Sequence, residues 1–267
     1  MVLCQLDDGT RLLYDCNVTS KNADEVLSYL GKTIGWGSSV NIFVNSHRDA
    51  DHMRGVKRIH DYFPIRKVWD SGVTGNTPDC TEYREYMDLR RTVGYVEVEK
   101  LKRWTFGKSL LRVMNSKNDG LIDDPNAQSI VIKVQHVDMQ SRNLASAMLT
   151  GDSDAQTWRH SILKDYAISD LSADILLASH HGSLSFFDDP ADEKHYYLAH
   201  LKAISPAMTI ISVGDNGYGH PDSKAISFYE EHSKGSNKGN KIKRTDEHGN
   251  IKLALKDEGG WSILDKQ

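Results

Sequence analysis

The chain has 267 residues, enough for one large domain or two small ones with an ample core. Hydrophobic residues make up 39% of it, as in ordinary soluble proteins, and no apolar run reaches the roughly 18 residues that a membrane helix needs. The net charge of −4 excludes a global basic field that would attract nucleic acid or a membrane, so a charged substrate must be met locally.

The cysteines and the N-terminus indicate the compartment. Cys4, Cys16 and Cys80 form no CxxC pair, and an odd, sparse set favours reduced thiols over a disulfide framework. The stretch MVLCQLDDGTRLLYDC lacks a basic region followed by a long apolar core, so no signal peptide is predicted. We therefore expect a cytoplasmic protein without a membrane segment.

Predicted strands and helices alternate along the first half of the chain. In order, they are a hairpin over residues 1–16 around the turn signal DDG, a helix over 22–35, the buried strand VNIFVNS, the helix VKRIHDYF, the short strand IRKVWDSG and a helix over 81–91.

The second half continues this alternation. Its predicted elements are the neighbouring strands SLLRVMN and QSIVIKVQHV, the strand SAMLTGDSD, a helix over 154–166, the strand ADILLASHHGS, a helix over 192–203, the strand MTIISVGDNGYGHP, the helix SKAISFYEEH, and IKRTDEHGNIKLAL as a closing hairpin with HGN as its turn. The pattern indicates an α/β architecture with mixed sheets. No linker divides the chain, so one domain over 1–267 is predicted.

Four of these strands end in polar loops rich in histidine and aspartate. The loops are NSHRDADH, TGDSD, ASHHGS and VGDNGYGHP. Ligand sites of α/β sheets form at the carboxyl ends of strands. The sequence therefore predicts a ligand site where these four loops meet.

The HRDADH loop has the residue types of a metal site. His47 and Asp49 are two apart and point the same way in an extended loop, Asp51 is two further on, and His52 turns towards a second point. Imidazole nitrogens and carboxylate oxygens bind divalent cations. These four residues suffice for two adjacent metals, and the alternative is an ordinary solvated loop.

The other three loops add donors of the same kind. Asp152 offers a carboxylate that could bridge two metals, and His180 and His181 form a histidine pair at a strand end. His220 is a metal ligand, a proton donor or a residue of the Gly-rich turn. The remaining histidines lack such a setting.

HRDADH, LTGD and SHHGS, in this order, resemble the metallo-β-lactamase superfamily, whose usual first motif is His-x-His-x-Asp-His. Here Asp49 takes the middle position, and this variant, with VGDNGYGHP and RTDEHGNI, resembles the C-terminal metallo-β-lactamase domain of ComEC-type DNA-uptake proteins. The resemblance covers nearly the whole chain. It implies an αβ/βα sandwich of two mixed sheets flanked by helices, with the site along its edge.

The resemblance also implies a role for each matching residue. His47 and Asp49 would bind one metal ion, and Asp51 and His52 would bind the other. Asp152 would bridge the two ions, and His180 would be the last histidine ligand. The resemblance implies that Asp51, His181 and His220 act in catalysis, with the two histidines facing the substrate.

The chain departs from the family at one ligand. Most members carry another metal histidine between the first motif and the bridging aspartate, whereas Asn126 occupies the position where ComEC-like domains have asparagine. Asn126 would orient a water or give one carbonyl oxygen. Oxygen-rich ligation favours manganese or magnesium over zinc at that position. We expect two divalent ions, zinc or manganese, with magnesium also compatible.

Three functions are compatible with these residues. The first is a nuclease or phosphodiesterase that uses a metal-activated water on DNA, with Asp51 directing the water and His181 or His220 protonating the leaving group. The second is a small-molecule hydrolase that opens a lactone, thioester or cyclic phosphodiester. The third is a catalytically silent subunit of a larger complex. No phosphate-binding or dinucleotide-binding glycine motif is present.

The expected partners are nucleic acid and an operon-encoded protein. Weaker candidates for substrate contact are Asn126, Ser183, Lys241 and Arg244. Lys241 and Arg244 belong to a basic run that also contains Lys234, Lys238 and Lys243. This run either contacts a phosphate backbone or is an ordinary solvated loop. The sequence leaves open the metal, the oligomeric state, DNA against RNA, and which of His180 and His181 is the ligand.

Overall fold

The computed structural model describes residues 1–75, 78–189, 194–234 and 241–264. Lys238, most of the loop Ser233–Lys241 and the start of the helix predicted over 192–203 lie outside the described residues. Within these ranges no helix is both long and apolar enough to cross a membrane.

The first sheet has five strands in the order β1-β2-β4-β5-β6. The strands of this half are Val2–Gln5 (β1), Arg11–Tyr14 (β2), the short Cys16–Asn17 (β3), Ile42–Val44 (β4), Val68–Asp70 (β5) and Tyr95–Glu97 (β6). β1 and β2 form the predicted hairpin, and β2, β4, β5 and β6 run parallel. The carboxyl ends of β2, β4 and β5 therefore lie at one edge of the sheet.

The second sheet has seven strands in the order β13-β12-β11-β10-β9-β8-β7. They are Arg103–Phe106 (β7), Ser109–Asn115 (β8), Val131–Val137 (β9), Asn143–Leu149 (β10), Ile175–Leu177 (β11), Met208–Ile211 (β12) and Ile242–Arg244 (β13). β7 to β10 are antiparallel, and β10 to β13 are parallel. A separate hairpin pairs Lys252–Leu255 (β14) with Trp261–Leu264 (β15).

Helices cover the outer faces of both sheets. They are Ala23–Ile34 (α1), Ala50–Met53 (α2), Val56–Tyr62 (α3), Thr81–Val93 (α4), Ala155–Thr157 (α5), Leu163–Asp165 (α6), Ile168–Leu171 (α7), Ala199–Ile204 (α8), Ser223–His232 (α9) and Thr245–His248 (α10). A π-helical turn, Trp158–Ile162, joins α5 to α6. Short 3-10 turns occupy Asp119–Leu121, Asn126–Gln128, Ser179–Gly182 and Leu184–Phe186.

The period-two alternation of strands builds the layers. In β2, Leu12 and Tyr14 face the second sheet, while Leu13 between them packs against the helices of the first half. In β10, Leu149 faces the inter-sheet core and Met148 packs against the helices of the second half. Burying each such side chain contributes about 1.5–3 kcal/mol. The layers are helix, sheet, sheet and helix, as the predicted αβ/βα sandwich requires.

The predicted closing hairpin around HGN is wrong. Instead, β13 joins the seven-stranded sheet parallel to β12, and β14 pairs with β15. The Thr245 hydroxyl bonds both the N–H and the carbonyl of Val213, at 2.8 and 2.7 Å. These bonds hold the chain beside β12 after β13 ends, so it cannot turn directly back on itself.

Three of the described strands, β6, β7 and β15, were not predicted. Each lies at the edge of its sheet, and all three residues of β6 are exposed. Edge strands bury little surface, so their apolar pattern is weak.

Candidate metal centre

The four loops predicted to carry a site meet at one edge of the sandwich. β4 leads into the HRDADH loop, β10 into Asp152, β11 into the His180–His181 pair, and β12 into the loop with His220. Rings and carboxylates from these loops lie within a few ångströms of one another. The sequence-based prediction of a shared site is thus confirmed for the position of the loops.

Gly151 brings the loops of the two sheets together. It has a φ of 54°, and a Cβ atom at this position would lie 2.9 Å from Ser46 Cβ. Its carbonyl accepts the N–H of His180 at 3.0 Å. Only glycine combines this conformation with so close an approach, so the LTGD motif joins the HRDADH loop to the SHHGS loop.

One set of metal-type donors is fully buried. His47 Nε2 lies 3.8 Å from Asp152 Oδ2, and His52 Nε2 lies 3.1 Å from the same oxygen. The side chains of His47, His52 and Asp152 are at most 5% exposed. His47 Nε2 has no hydrogen-bond partner. A buried, unpaired imidazole nitrogen is costly unless something binds it, and a cation would do so.

A second set adjoins the first through His52. The donor atoms of Asp51, His52 and His181 lie within 4.8 Å of one another. His181 Nε2 is 3.7 Å from Asp51 Oδ2, while His181 Nδ1 donates to the Ser212 carbonyl at 2.8 Å. That hydrogen bond directs the lone pair of Nε2 towards Asp51, as in a histidine that binds metal.

The SHHGS loop has an unusual backbone. His180 and His181 have φ values of 47° and 55°, in the left-handed region that non-glycine residues rarely adopt. The turn directs the two rings apart: His181 lies beside Asp51, whereas His180 Nε2 lies 3.5 Å from Asp152 Oδ2. Ser183 accepts the N–H of Ser185, so its hydroxyl caps the following 3-10 turn, Leu184–Phe186.

Asp15, which the sequence analysis did not select, supports the centre. Its Oδ2 lies 2.9 Å from His52 Nδ1 and its Oδ1 accepts the N–H of Ser46 at 2.7 Å. A carboxylate on the far nitrogen of a ligand histidine fixes its orientation and tautomer. Asp15 directly follows the apolar strand RLLY, so the strand-end pattern that identified the other loops applies here too.

Ser129 lies beside His47 and follows Asn126, the predicted replacement for a metal histidine, by three residues. Its hydroxyl accepts the Asp152 N–H at 3.1 Å and lies 3.5 Å from His47 Nδ1. Asn126 begins the 3-10 turn before it, and its N–H donates to Asp124 at 2.9 Å. Ser129 therefore contacts two residues of the centre, His47 and Asp152, and the role of Asn126 stays a prediction.

A buried charge network anchors the HRDADH loop. Arg48 bonds Asp70 at 2.9 Å, and Asp70 also accepts from the Tyr86 hydroxyl at 2.6 Å and from Arg90 at 2.7 Å. Asp70 is 1% exposed. Burial raises its pKa, but the two guanidinium groups outweigh this and lower it. Arg48 thus ties the loop to the end of β5.

The ionisable groups of the centre strongly polarise one another. Burial lowers the pKa of His52, but the carboxylates of Asp152 and Asp15 outweigh it and raise that pKa well above its usual value. Burial raises the pKa of Asp152, and His52 and His47 outweigh it and lower that pKa well below the usual value. Burial and the neighbouring His52 lower the pKa of His47. His47 is therefore neutral at pH 7, the form that binds metal.

The remaining predicted substrate contacts are more peripheral. His220 is half-buried, with its ring 5.4 Å from the ring of His180. Arg244, at the end of β13, bonds Asp246 and Glu247. Lys241 donates to the Glu230 carbonyl at 3.2 Å. The acidic neighbours of Arg244 reduce its availability to a phosphate.

The side chains present fit divalent cations. The sets His47–His52–Asp152 and Asp51–His52–His181 each offer three donors, and His47 Nε2 lacks any other partner. Nitrogen and oxygen donors of this kind suit zinc, manganese or iron. The buried set is the stronger candidate because its burial leaves no water to satisfy the donors.

No family model matches the sequence. No curated protein matches it either. Solved structures do match. CmlA from Streptomyces venezuelae, a diiron β-hydroxylase, matches with a TM-score of 0.51 and 13% identity over 89% of this chain and 50% of that chain. The present chain thus spans about half the length of CmlA.

Two further structures carry the fold name in their descriptions. The metallo-β-lactamase fold protein YhfI from Bacillus subtilis matches with a TM-score of 0.48 and 12% identity over 91% of this chain and 88% of that chain. A metallo-β-lactamase of Cronobacter sakazakii matches with a TM-score of 0.42 and 14% identity over 66% and 65%. At such identities the similarity concerns the fold alone. The two mixed sheets and the helices outside them form the αβ/βα sandwich that the predicted metallo-β-lactamase fold requires.

Proposed function

We propose that the protein is a metal-dependent hydrolase that cleaves phosphodiesters, with DNA as its substrate class. The observation that carries the proposal is the buried, unpaired Nε2 of His47 beside Asp152 and His52. Such a nitrogen calls for a cation, and the adjacent set of Asp51 and His181 provides for a second one. The choice of a phosphodiester rests on the resemblance of the motifs to ComEC-type domains.

The distances support a specific division of ligands. His47, His52 and Asp152 would hold one ion, and Asp51 and His181, whose donor atoms adjoin His52, would hold the other. Asp49, whose Oδ2 lies 3.7 Å from His47 Nε2, would complete the first set. This gives His181 the ligand role that the resemblance gave to His180.

The remaining side chains would then contact the substrate. When bound, two divalent ions supply Lewis acidity towards the phosphate and lower the pKa of a bound water. Asp51, about 40% exposed, orients the attacking water by accepting its hydrogen bond. His180 and His220 lie on the open side of the centre, where either ring can protonate the leaving oxygen.

The fold alone does not fix the reaction. CmlA is a diiron β-hydroxylase, so a metal centre on this fold is compatible with chemistry other than hydrolysis. The small-molecule hydrolase remains the second candidate, because the acidic net charge and the ion pairs of Arg244 give little positive field for a long polyanion.

Elemental analysis of the purified protein, followed by cleavage assays, tests the proposal. Labelled linear and circular DNA, bis(p-nitrophenyl) phosphate, a lactone and a thioester would each be incubated with Mn²⁺, Mg²⁺ or Zn²⁺. The proposal predicts metal-dependent cleavage of DNA and of the model phosphodiester, lost in Asp152→Asn. The matched control is Asp174→Asn, because Asp174 accepts the N–H of Ser146 at 2.8 Å at the amino end of β11, away from the centre.

The other outcomes separate the alternatives. Cleavage of the lactone or thioester alone would favour the small-molecule hydrolase. Bound metal without any cleavage would favour a silent subunit or a need for a protein partner. A wild-type protein that binds no divalent metal would refute the proposal.

A further inference from the structure

The loop after β12 carries a tyrosine that the proposed chemistry does not use. Tyr218, in VGDNGYGHP, is 85% exposed. Its ring lies 6.2 Å from the ring of His220, and the two planes are within 20° of parallel. His220 in turn neighbours His180, which borders the metal centre. Tyr218 is therefore linked to the centre by two successive ring contacts, through His220 and His180.

The loop holds this exposed tyrosine in place through one side chain. Asn216 Oδ1 accepts the N–H groups of Tyr218 and His220 at 3.0 and 3.2 Å. Asn216 Nδ2 donates to the carbonyls of Gly214 and His220, both at 2.9 Å. These four bonds fix the backbone on both sides of Tyr218. An aromatic ring on a fixed backbone loses less conformational freedom when it binds a ligand.

A row of rings leads from the buried donors to this tyrosine. The centroids of successive rings are 5.5 Å apart for His52 and His181, 6.5 Å for His181 and His180, and 5.4 Å for His180 and His220. Tyr218 ends the row at 6.2 Å from His220. These separations fall in the range at which aromatic rings contact one another. The histidine rings are tilted or edge-on to one another, so the exposed ring of Tyr218 is the face on which a planar group of the substrate can pack.

Resting on the proposed phosphodiesterase function, we propose that Tyr218 is a stacking platform for a nucleobase, and that the substrate is single-stranded nucleic acid or an unpaired strand end. Unpaired bases offer their faces to aromatic side chains, whereas bases in a duplex are already stacked and paired. Stacking needs no extended basic surface. The proposal therefore requires no global basic field from a chain with a net charge of −4.

Equilibrium binding measured by fluorescence anisotropy tests the platform. The probe is a labelled short oligothymidylate with phosphorothioate linkages, which slow hydrolysis, and the reference is an abasic strand of equal length. Wild type would be compared with Tyr218→Leu and Tyr218→Phe. The control variant is Tyr62→Leu, since Tyr62 is also exposed but packs near Trp36, at 5.8 Å between ring centroids.

We expect Tyr218→Leu to weaken binding of the oligothymidylate by about 5- to 100-fold. Tyr218→Phe, which keeps the aromatic ring, should bind the oligothymidylate as the wild type does, and so should the control Tyr62→Leu. Tyr218→Leu should bind the abasic strand with unchanged affinity. Equal binding of the oligothymidylate by wild type and Tyr218→Leu would overturn the platform. So would a wild type that binds the oligothymidylate no better than the abasic strand.

Cleavage of unmodified oligothymidylate with Mn²⁺, Mg²⁺ or Zn²⁺, run in parallel, distinguishes the two proposals. Tyr218-dependent binding without cleavage under any metal refutes the hydrolase and supports the platform. Cleavage that Tyr218→Leu leaves unchanged in both KM and kcat refutes the platform and supports the hydrolase.

Discussion

Replacing Asp15 by asparagine should weaken metal binding although Asp15 lies outside the proposed ligand set. The substitution keeps the shape of the side chain, and asparagine tolerates the φ of 53° at this position. The carboxylate has two donors to satisfy, the Ser46 N–H and the Nδ1–H of His52. An amide has one oxygen, so it can accept from only one of them.

The magnitude follows from which bond is lost. If the amide oxygen stays with Ser46, its NH2 group faces His52 Nδ1 and favours the tautomer with the proton on Nε2, which cannot bind a metal. If it turns to His52, the buried Ser46 N–H is left without its acceptor, at a cost of about 1–3 kcal/mol. We therefore expect metal affinity to fall by about 10- to 100-fold, with unfolding free energy reduced by about 1–3 kcal/mol.

Competition of demetallated protein with a chromogenic chelator for Zn²⁺ and Mn²⁺ measures the affinity, and urea unfolding of the metal-free protein measures the stability. Asp174→Asn serves as the matched control, because it also removes a carboxylate that accepts a backbone N–H, and it should leave metal affinity unchanged. A folded Asp15→Asn protein with wild-type affinity would refute the reasoning. An equal loss in Asp174→Asn would show that the effect is general.

Three further changes probe other parts of the structure. Asp70→Asn leaves Arg48 and Arg90 without their buried carboxylate, so urea unfolding should show that the free energy of unfolding falls by about 3–5 kcal/mol. The control Asp170→Asn breaks the more exposed pair with Arg112 and should lower it by less than about 1 kcal/mol. Equal losses in the two variants would contradict the role given to the Asp70 network. Gly151→Ala places a Cβ atom 2.9 Å from Ser46 Cβ at a positive φ, so thermal unfolding should show a destabilisation of about 1–3 kcal/mol. A variant with the Tm of the wild type would contradict the close packing of the LTGD and HRDADH loops. Burial lowers the pKa of His200 to about 3 in the folded protein. Between pH 3 and the usual pKa of about 6.5, the unfolded chain binds a proton at this residue that the folded protein does not. His200 should therefore lower the free energy of unfolding by about 1.4 kcal/mol for each unit by which the pH falls in this range. Urea unfolding at several pH values should show a slope shallower by this amount in His200→Gln, and an unchanged slope would show that His200 takes up its proton in the folded state.

The residue pattern predicts most of the strands and helices and marks the strand ends that carry the candidate site. Strand runs such as VNIFVNS and ADILLASHHGS are apolar enough to be buried on both faces, and the change to His and Asp marks their carboxyl ends. Parallel strands bring such ends to one edge, which places the LTGD and SHHGS loops together, whereas the HRDADH loop belongs to the other sheet and meets them only where the two sheets pack. The pattern selects His47, Asp51, His52, Asp152 and the histidine pair as candidates for one site.

The positions of these side chains relative to one another depend on the folded chain. Adjacent residues such as His180 and His181 have identical side chains, and it is the left-handed backbone of the turn that directs one ring towards Asp51 and the other towards Asp152. Asp15 follows a strand, as the selected residues do, but its contact with His52 spans 37 residues of chain, and the contact of Ser129 with His47 spans 82, so only the folded chain brings these two side chains to the centre. The C-terminal strand β13 pairs with β12 rather than with its sequence neighbour for the same reason: long-range backbone and side-chain hydrogen bonds, here those of Thr245 with Val213, outweigh a local turn signal.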